Sequence, residues 1–153
     1  MKYGVFQFQF IASFKILTMK RLLLVLFVLT FSSTLMAQNV VGNVKRGPYL
    51  IAELSFKSVD TTNTYKLRYL DAKFDILKSI EFDATQQFID EVYNFFTKML
   101  TEKNGVSNDI QIGKFKLNAT TQKMMGMRNI LITIDESSNF GLNGNEINKL
   151  FGK

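Results

Sequence analysis

Three stretches of the chain alternate apolar and polar residues with the period of two that is typical of half-buried β-strands. The first covers residues 49–57, where Leu50, Leu54 and Phe56 share one parity. The second and third are centred on Leu67 and Ile80, and short polar segments at 60–63 and 71–73 separate the three. Because short polar turns most simply join antiparallel neighbours, the pattern predicts a three-stranded meander.

The next segment has apolar residues at the 3.6-residue spacing of an α-helix. These residues are Phe88, Ile89, Val92, Phe95, Phe96, Met99 and Leu100. We predict a helix over residues 84–103, with Asp83 as its N-cap and Gly105 just beyond its C-terminus. Burial of seven such side chains contributes roughly 10 to 20 kcal/mol before chain entropy is subtracted. We therefore expect this helix to cover the sheet.

The remaining third of the chain predicts further strands and a short terminal helix. Apolar residues alternate at 110–117, with a change of phase at Gly113, and again at 130–134. A helix is predicted over 145–151, with Asn143 and Glu146 in capping positions. The predicted fold class is α+β: an antiparallel sheet of five or six strands, covered on one face by one amphipathic helix, with the short C-terminal helix closing an edge.

A short apolar run near the N-terminus follows two positive charges. Lys20 and Arg21 precede a strongly apolar run of ten residues, 22–31, and the polar residues Ser32, Ser33 and Thr34 follow before Ala37. This order is typical of an export signal, and ten residues are half of the roughly 20 that span a membrane. We predict that residues 19–37 are a signal peptide cleaved after about Ala37, with retention as an N-terminal anchor as the alternative.

The leader divides the chain into four predicted parts. Residues 1–18 are an upstream extension or a dispensable start, so translation begins at Met1 or Met19. After the signal peptide, residues 38–48 are polar and are predicted to form a tether. Residues 49–153 are predicted to form a single domain, since their number lies within the usual range for one core.

The leader also changes what the charge indicates. Four of the 19 basic residues precede Gln38, which leaves 15 basic against 13 acidic residues and a net charge of +2. A nearly neutral surface gives no reason to expect a nucleic-acid partner. The chain has no cysteine, which excludes a lipoprotein anchor and a disulfide-rich class. An exported bacterial protein, periplasmic or secreted, fits these features.

The absence of histidine and cysteine excludes histidine-activated nucleophiles and zinc sites of the usual kind. Carboxylate chemistry remains, and paired carboxylates can serve glycoside hydrolysis. The close pairs are Asp71/Asp75, Glu81/Asp83, Asp90/Glu91 and Asp135/Glu136. Charged runs of this kind are more typical of solvated surface. A carboxylate-dependent hydrolase is therefore one alternative function.

Residues 135–146 partly match the twelve-residue loop that binds calcium. Asp135 falls at position 1, Asn139 at position 5 and Glu146 at position 12 of that loop. Phe140 occupies position 6, where glycine permits the sharp turn. The competing interpretation is a strand, a turn and a capped helix. A calcium-stabilised module that uses Asp135, Asn139 and Glu146 is the other alternative.

No motif in the chain is specific enough to name a family. The leading hypothesis is a small exported, non-enzymatic binding or structural module that works through a surface, such as the face of the predicted sheet that the helix leaves uncovered. Its expected partner is a protein, glycan or small-molecule ligand of the cell envelope. The membrane is expected as a partner only through an uncleaved leader.

Overall fold

Eight strands and two helices make up the part of the chain that the computed structural model describes, residues 38–59, 62–124 and 126–153. The predicted signal peptide and residues 1–18 lie outside this part. The elements are β1 (Asn39–Arg46), β2 (Tyr49–Val59), β3 (Thr62–Asp71), β4 (Ile76–Ala84), α1 (Gln86–Met99), β5 (Ser107–Ile112), β6 (Phe115–Met124), β7 (Met127–Ile134), β8 (Ser138–Asn143) and α2 (Gly144–Leu150). No helix among these residues is long and apolar enough to cross a membrane.

The strands form two antiparallel sheets of four, β1-β2-β3-β4 and β5-β6-β7-β8, each a simple meander. The predicted fold class is wrong, because a mostly β protein with two sheets and two short helices replaces one sheet of five or six strands under a helix. Two strands lie where the sequence predicted other structure. β1 takes up most of the predicted tether at 38–48, and β8 lies inside the predicted calcium loop.

Irregular pairing explains why β1 lacks a strand pattern. Its register with β2 shifts between Val40 and Gly42 and again between Val44 and Lys45. Each shift breaks the alternation of inward and outward side chains. As a result, Val44 is the one fully buried residue of the strand.

Both sheets and both helices contribute to one hydrophobic core. Residues from both sheets and both helices line a small apolar cavity of about 20 Å³ within this core. They are Leu54, Leu67, Phe82, Ile89, Val92, Phe96, Ile112, Leu117, Phe140, Leu150 and Phe151. The apolar stripe predicted for α1 faces this core, where Ile89, Val92, Phe96 and Met99 are buried. The helix therefore packs on a core that both sheets share, rather than covering one face of a single sheet.

The helix ends differ in how well the sequence predicted them. Thr85, not Asp83, is the N-cap of α1, and its hydroxyl accepts a hydrogen bond from the backbone N–H of Phe88. Asp83 instead belongs to β4, where its carboxylate accepts a hydrogen bond from the Thr64 hydroxyl at 2.6 Å. At α2, the predicted capping box of Asn143 and Glu146 is confirmed.

The two sheets meet where β3 ends and β8 begins. The rings of Tyr69 and Phe140 stack with their centroids 4.9 Å apart, and the Tyr69 hydroxyl lies 2.7 Å from that of Ser138. The backbone N–H of Ala72 donates to the carbonyl of Asn139 at 2.8 Å. These contacts cover part of the outer edge of the second sheet.

A buried carboxylate strengthens the same junction. The side chain of Asp71 has no exposed surface and lies 2.6 Å from the ammonium of Lys78. Its other oxygen accepts hydrogen bonds from the backbone N–H groups of Lys73 and Asn139. The ion pair with Lys78, together with these two N–H groups, outweighs burial and lowers the pKa of Asp71. The ionised form of Asp71 therefore joins the β3–β4 turn to β8.

Candidate functional site

The second sheet turns a polar surface away from the core. Along β6, β7 and β8 the inward residues are buried, while the alternate residues are partly exposed. Nine of these outward residues form what we call the open face: Asn118, Thr120, Gln122, Asn129, Leu131, Thr133, Asn139, Gly141 and Asn143. Side-chain amides and hydroxyls dominate this set, and none of the nine is charged.

The strand register arranges the open face in three rows. The rows are Asn118–Thr133–Asn139, Thr120–Leu131–Gly141 and Gln122–Asn129–Asn143. The two outer rows carry the amides, whereas the middle row combines one apolar side chain, Leu131, with a glycine. The face therefore offers hydrogen-bonding groups on both sides of an apolar centre.

A cavity of about 410 Å³ lies over the middle row. Its floor includes Leu131 and Gly141, its rim includes the exposed Met124 and Met127, and Arg46 approaches from the first sheet. The missing side chain at Gly141 provides the space, since a Cβ there would come no closer than 3.7 Å to the carbonyl oxygen of Ile130. This volume lies within the range of small-molecule sites.

A second cavity, of about 260 Å³, adjoins the other end of strands β6 and β7. It is lined by Asp109, Lys116, Asn118, Thr133, Asp135 and Glu136. The Lys116 ammonium lies 2.8 Å from the Asp109 carboxylate, to which the Asn118 amide also donates. The pKa of Asp109 is lowered, mainly by the hydrogen bond from Lys116 and secondly by the one from Asn118. Asp109 in turn raises the pKa of Lys116. Both cavities thus lie on the outward side of one sheet.

The turn between β7 and β8 borders this second cavity, and two of its residues have unusual backbone angles. Asp135 and Glu136 both have positive φ, 46° and 57°, and the N–H of Ser137 donates to the carbonyl of Ile134. This is the pattern of a type I′ turn, in which asparagine and glycine are preferred. The Asp135 carboxylate accepts a hydrogen bond from the backbone N–H of Lys116 at 2.9 Å. That bond ties the turn to β6.

The three predicted calcium ligands lie at different places. Asp135 is in the turn and Asn139 is near the start of β8, whereas Glu146 lies in α2 beyond the other end of the strand. Six extended residues span about 20 Å, while ligands of one calcium ion all lie within about 2.6 Å of it. The structure therefore does not bring Glu146 to Asp135.

Glu146 has other partners in the structure. Its carboxylate accepts two hydrogen bonds from the Arg46 guanidinium, both 2.8 Å, and one from the backbone N–H of Asn143. Burial raises the pKa of Glu146, but Arg46 and Asn143 outweigh that effect and hold it below its usual value. Across the described residues, no group of three or more carboxylate, histidine or cysteine side chains could hold a metal ion. The calcium site stays a prediction without support from this geometry.

One of the four predicted carboxylate pairs, Asp135/Glu136, lies in a cavity. Asp135 and Glu136 share the smaller cavity with Asp109, so three carboxylates line it. A general acid needs a raised pKa. The carboxyl groups with a clear shift are Asp71, Asp109 and Glu146, and all three pKa values are lowered. These shifts favour stable carboxylates over proton donors.

Sequence reasoning missed most of the open face. The predicted strand near Leu117 stopped there, because the next inward residues of β6 are Ala119 and Thr121 rather than large apolar ones. The alternation of buried small residues with amides and hydroxyls was the available signal, together with the β propensity of threonine. The row arrangement itself depends on the register, which the sequence pattern does not contain.

Comparison with protein-family models, curated protein sequences and solved structures finds no match for this chain. The functional argument therefore depends on the open face and its two cavities.

Proposed function

We propose that the protein is a small exported, non-enzymatic binding module, periplasmic or secreted, whose ligand lies on the open face of β6, β7 and β8. The observation that carries this proposal is the cavity of about 410 Å³ lined by Leu131, Gly141 and the amide row Gln122–Asn129–Asn143. Its size and its combination of apolar side chains with a few amides are those of small-molecule sites. The lowered carboxyl pKa values favour binding over acid-base catalysis.

The chemistry of the face favours a neutral, hydroxyl-bearing ligand such as a glycan of the cell envelope. The amides of Gln122 and Asn129 can each donate and accept hydrogen bonds. Leu131 offers an apolar contact to the C–H face of a sugar ring. The amide side chains beside it can form hydrogen bonds with the hydroxyl groups of that ring. None of the nine side chains of the open face is charged, and the Arg46 guanidinium that reaches the cavity is paired with the Glu146 carboxylate, so a strongly charged ligand gains little there.

A binding experiment with one cavity-filling variant tests this function. Purified protein is titrated calorimetrically with a panel of bacterial envelope saccharides at up to roughly millimolar concentration, the weak end of specific affinity. Gly141→Leu fills the larger cavity with a side chain whose Cβ makes only an ordinary contact, 3.7 Å from the carbonyl oxygen of Ile130. Lys57→Leu adds the same side chain at an exposed position of β2, on the first sheet.

We expect one saccharide class to bind the parent protein and Lys57→Leu equally. Gly141→Leu should weaken that binding by more than about tenfold, since the ligand and the new side chain compete for one space. Failure of every saccharide to bind contradicts the glycan proposal. Binding that Gly141→Leu leaves unchanged contradicts the open face as its site.

Export is tested separately by mass spectrometry of the mature N-terminus. A signal peptide cleaved after Ala37 leaves a chain that begins at Gln38. Recovery of an intact species beginning at Met1 or Met19 from the cell envelope or medium contradicts cleavage.

A further inference from the structure

The end of the β6–β7 hairpin carries two exposed methionines. Met124 and Met127 are 59% and 58% exposed, and they lie opposite each other as the last pair in the register of β6 with β7. Each lies two residues along its strand from a member of the amide row Gln122–Asn129–Asn143, so the pair extends the open face by one row. We call this pair the methionine row. Both of its side chains line the cavity of about 410 Å³.

The basic side chains at this end of the hairpin belong to the other side of the sheet. Lys123 and Arg128 pair in the register and occupy the alternate positions, which continue the inward residues of β6 and β7. The Arg128 guanidinium donates to the backbone carbonyls of Leu100 and Glu102, at 2.9 and 3.1 Å, just beyond the end of α1. The methionine row therefore extends the open face without adding a charge to it.

Three kinds of contact follow one another along this part of the open face. Leu131 in the middle row is apolar, the amide row Gln122–Asn129–Asn143 donates and accepts hydrogen bonds, and the methionine row is apolar again. Adjacent rows are about 7 Å apart, because two extended residues separate them. The methionine side chains are unbranched and flexible, so they can bend toward the amide row. A ligand that matches this order has an apolar ring face, an amide and a methyl group.

We propose that the open face binds a sugar that carries an N-acetyl group, with the amide of that group on the amide row and its methyl against the methionine row. This inference rests on the proposed glycan-binding function and narrows it to one ligand class. The sugar ring lies over Leu131, where the absent side chain of Gly141 leaves space. The acetamido N–H donates to a side-chain carbonyl of the amide row, and the acetamido carbonyl accepts from a side-chain NH₂.

The same surface discriminates against two close relatives of an N-acetyl sugar. A plain hexose has a hydroxyl in place of the acetamido group, so it leaves the methionine row exposed to water. A deacetylated sugar has an ammonium group there. That charge finds no carboxylate among the described residues that line the cavity, and Arg46 in the same lining is positively charged. The N-acetyl sugar is neutral and supplies the apolar contact, so it avoids both disadvantages.

Three trisaccharides that differ in a single group test this specificity. They are the β1,4-linked trimers of N-acetylglucosamine, glucosamine and glucose, which carry an acetamido, an ammonium and a hydroxyl group at the same ring position. Calorimetric titration of the purified protein should show that the acetylated trimer binds more than about tenfold more tightly than either of the others. NMR of protein labelled in its methionine methyl groups should show that the Met124 and Met127 resonances shift when the acetylated trimer is added.

A double variant tests the methionine row itself. Met124→Gln combined with Met127→Gln keeps unbranched side chains but replaces their apolar ends with amides. It should weaken binding of the acetylated trimer by more than about tenfold, toward the affinity of the glucose trimer. Leu77→Gln is the matched control, since Leu77 is 51% exposed in β4 of the first sheet, and it should keep the parent's preference. Thermal melts verify that each variant is folded.

The outcomes separate this inference from the function on which it rests. Equal or tighter binding of the glucose or glucosamine trimer would overturn the N-acetyl specificity and leave the glycan-binding function in place. Binding of a different envelope saccharide, when the acetylated trimer does not bind, would do the same. A preference for the acetylated trimer that survives the double variant would overturn the role of the methionine row. If no saccharide binds, both proposals fail.

Discussion

A single methyl group added at Gly42 tests whether β1 is an integral strand of the domain. A Cβ at this position would lie 1.9 Å from the carbonyl oxygen of Lys149 and 2.7 Å from that of Leu150. Ordinary contacts begin near 3.4 Å. The Gly42→Ala variant must therefore move β1 and the end of α2 apart by about 1.5 Å, and both contacting groups are backbone.

The magnitude follows from what that movement exposes. The last turn of α2 buries Ile147, Leu150 and Phe151, which are 0%, 1% and 7% exposed. Overpacking alone costs about 1 to 3 kcal/mol. Partial exposure of one large side chain adds to this, since full exposure costs about 1.5 to 3 kcal/mol. We expect Gly42→Ala to lower the free energy of unfolding by about 3 kcal/mol.

Urea unfolding followed by circular dichroism measures the change, with Gly141→Ala as the matched control. Gly141 is also a strand glycine, but its Cβ would meet only the carbonyl oxygen of Ile130, at 3.7 Å. We expect this control to stay within about 0.5 kcal/mol of the parent. If Gly42→Ala is as stable as Gly141→Ala, the packing of β1 on α2 is refuted and residues 38–48 behave as the tether that the sequence predicted.

Three further predictions concern the strained turn, acid stability and calcium. Glu136→Gly should raise the unfolding free energy by about 1 kcal/mol and the melting temperature by several degrees, because glycine adopts a φ of 57° without strain; an unchanged melting temperature would contradict this. Asp71 and Glu146 have lowered pKa values, so the stability they contribute is present above their ordinary values of 3.8 and 4.5 and is lost as pH falls through the lower folded values. Melts from neutral pH to about pH 2 should therefore show Asp71→Asn and Glu146→Gln less stable than the parent at neutral pH and closer to it in acid; a gap that is constant with pH would count against these ion pairs. Calcium should leave the melting temperature unchanged, because Arg46 and Asn143 already occupy the Glu146 carboxylate; a rise that Glu146→Gln abolishes would support the calcium hypothesis instead.

Local patterns predicted individual elements well where side chains alternated cleanly. The three strands that became β2, β3 and β4 and the apolar stripe of α1 were visible because large apolar residues occupy most of the inward positions. The capping box at Asn143 and Glu146 was visible because its two residues act within one helical turn. Each of these features depends on residues that are close in sequence.

Features that depend on distant residues could not be predicted in the same way. β8 does alternate, with Phe140 and Leu142 inward, but its amides also match the spacing of a calcium loop. The division into two sheets depends on which strands become neighbours, and the alternation along each strand is the same in either arrangement. The sequence placed Asp71 in a pair with Asp75, whereas the fold sets it against Lys78 and Asn139.

Amide hydrogen exchange with and without the best saccharide of the binding panel tests the proposed open face most directly. Exchange reports on each strand separately, because backbone amides are slowed where a ligand stabilises or covers them. We predict slowed exchange in β6, β7 and β8 around Gly141 and unchanged exchange in β2, β3 and β4. Protection confined to the first sheet, or no protection by a saccharide that binds, would contradict the open face as the binding surface.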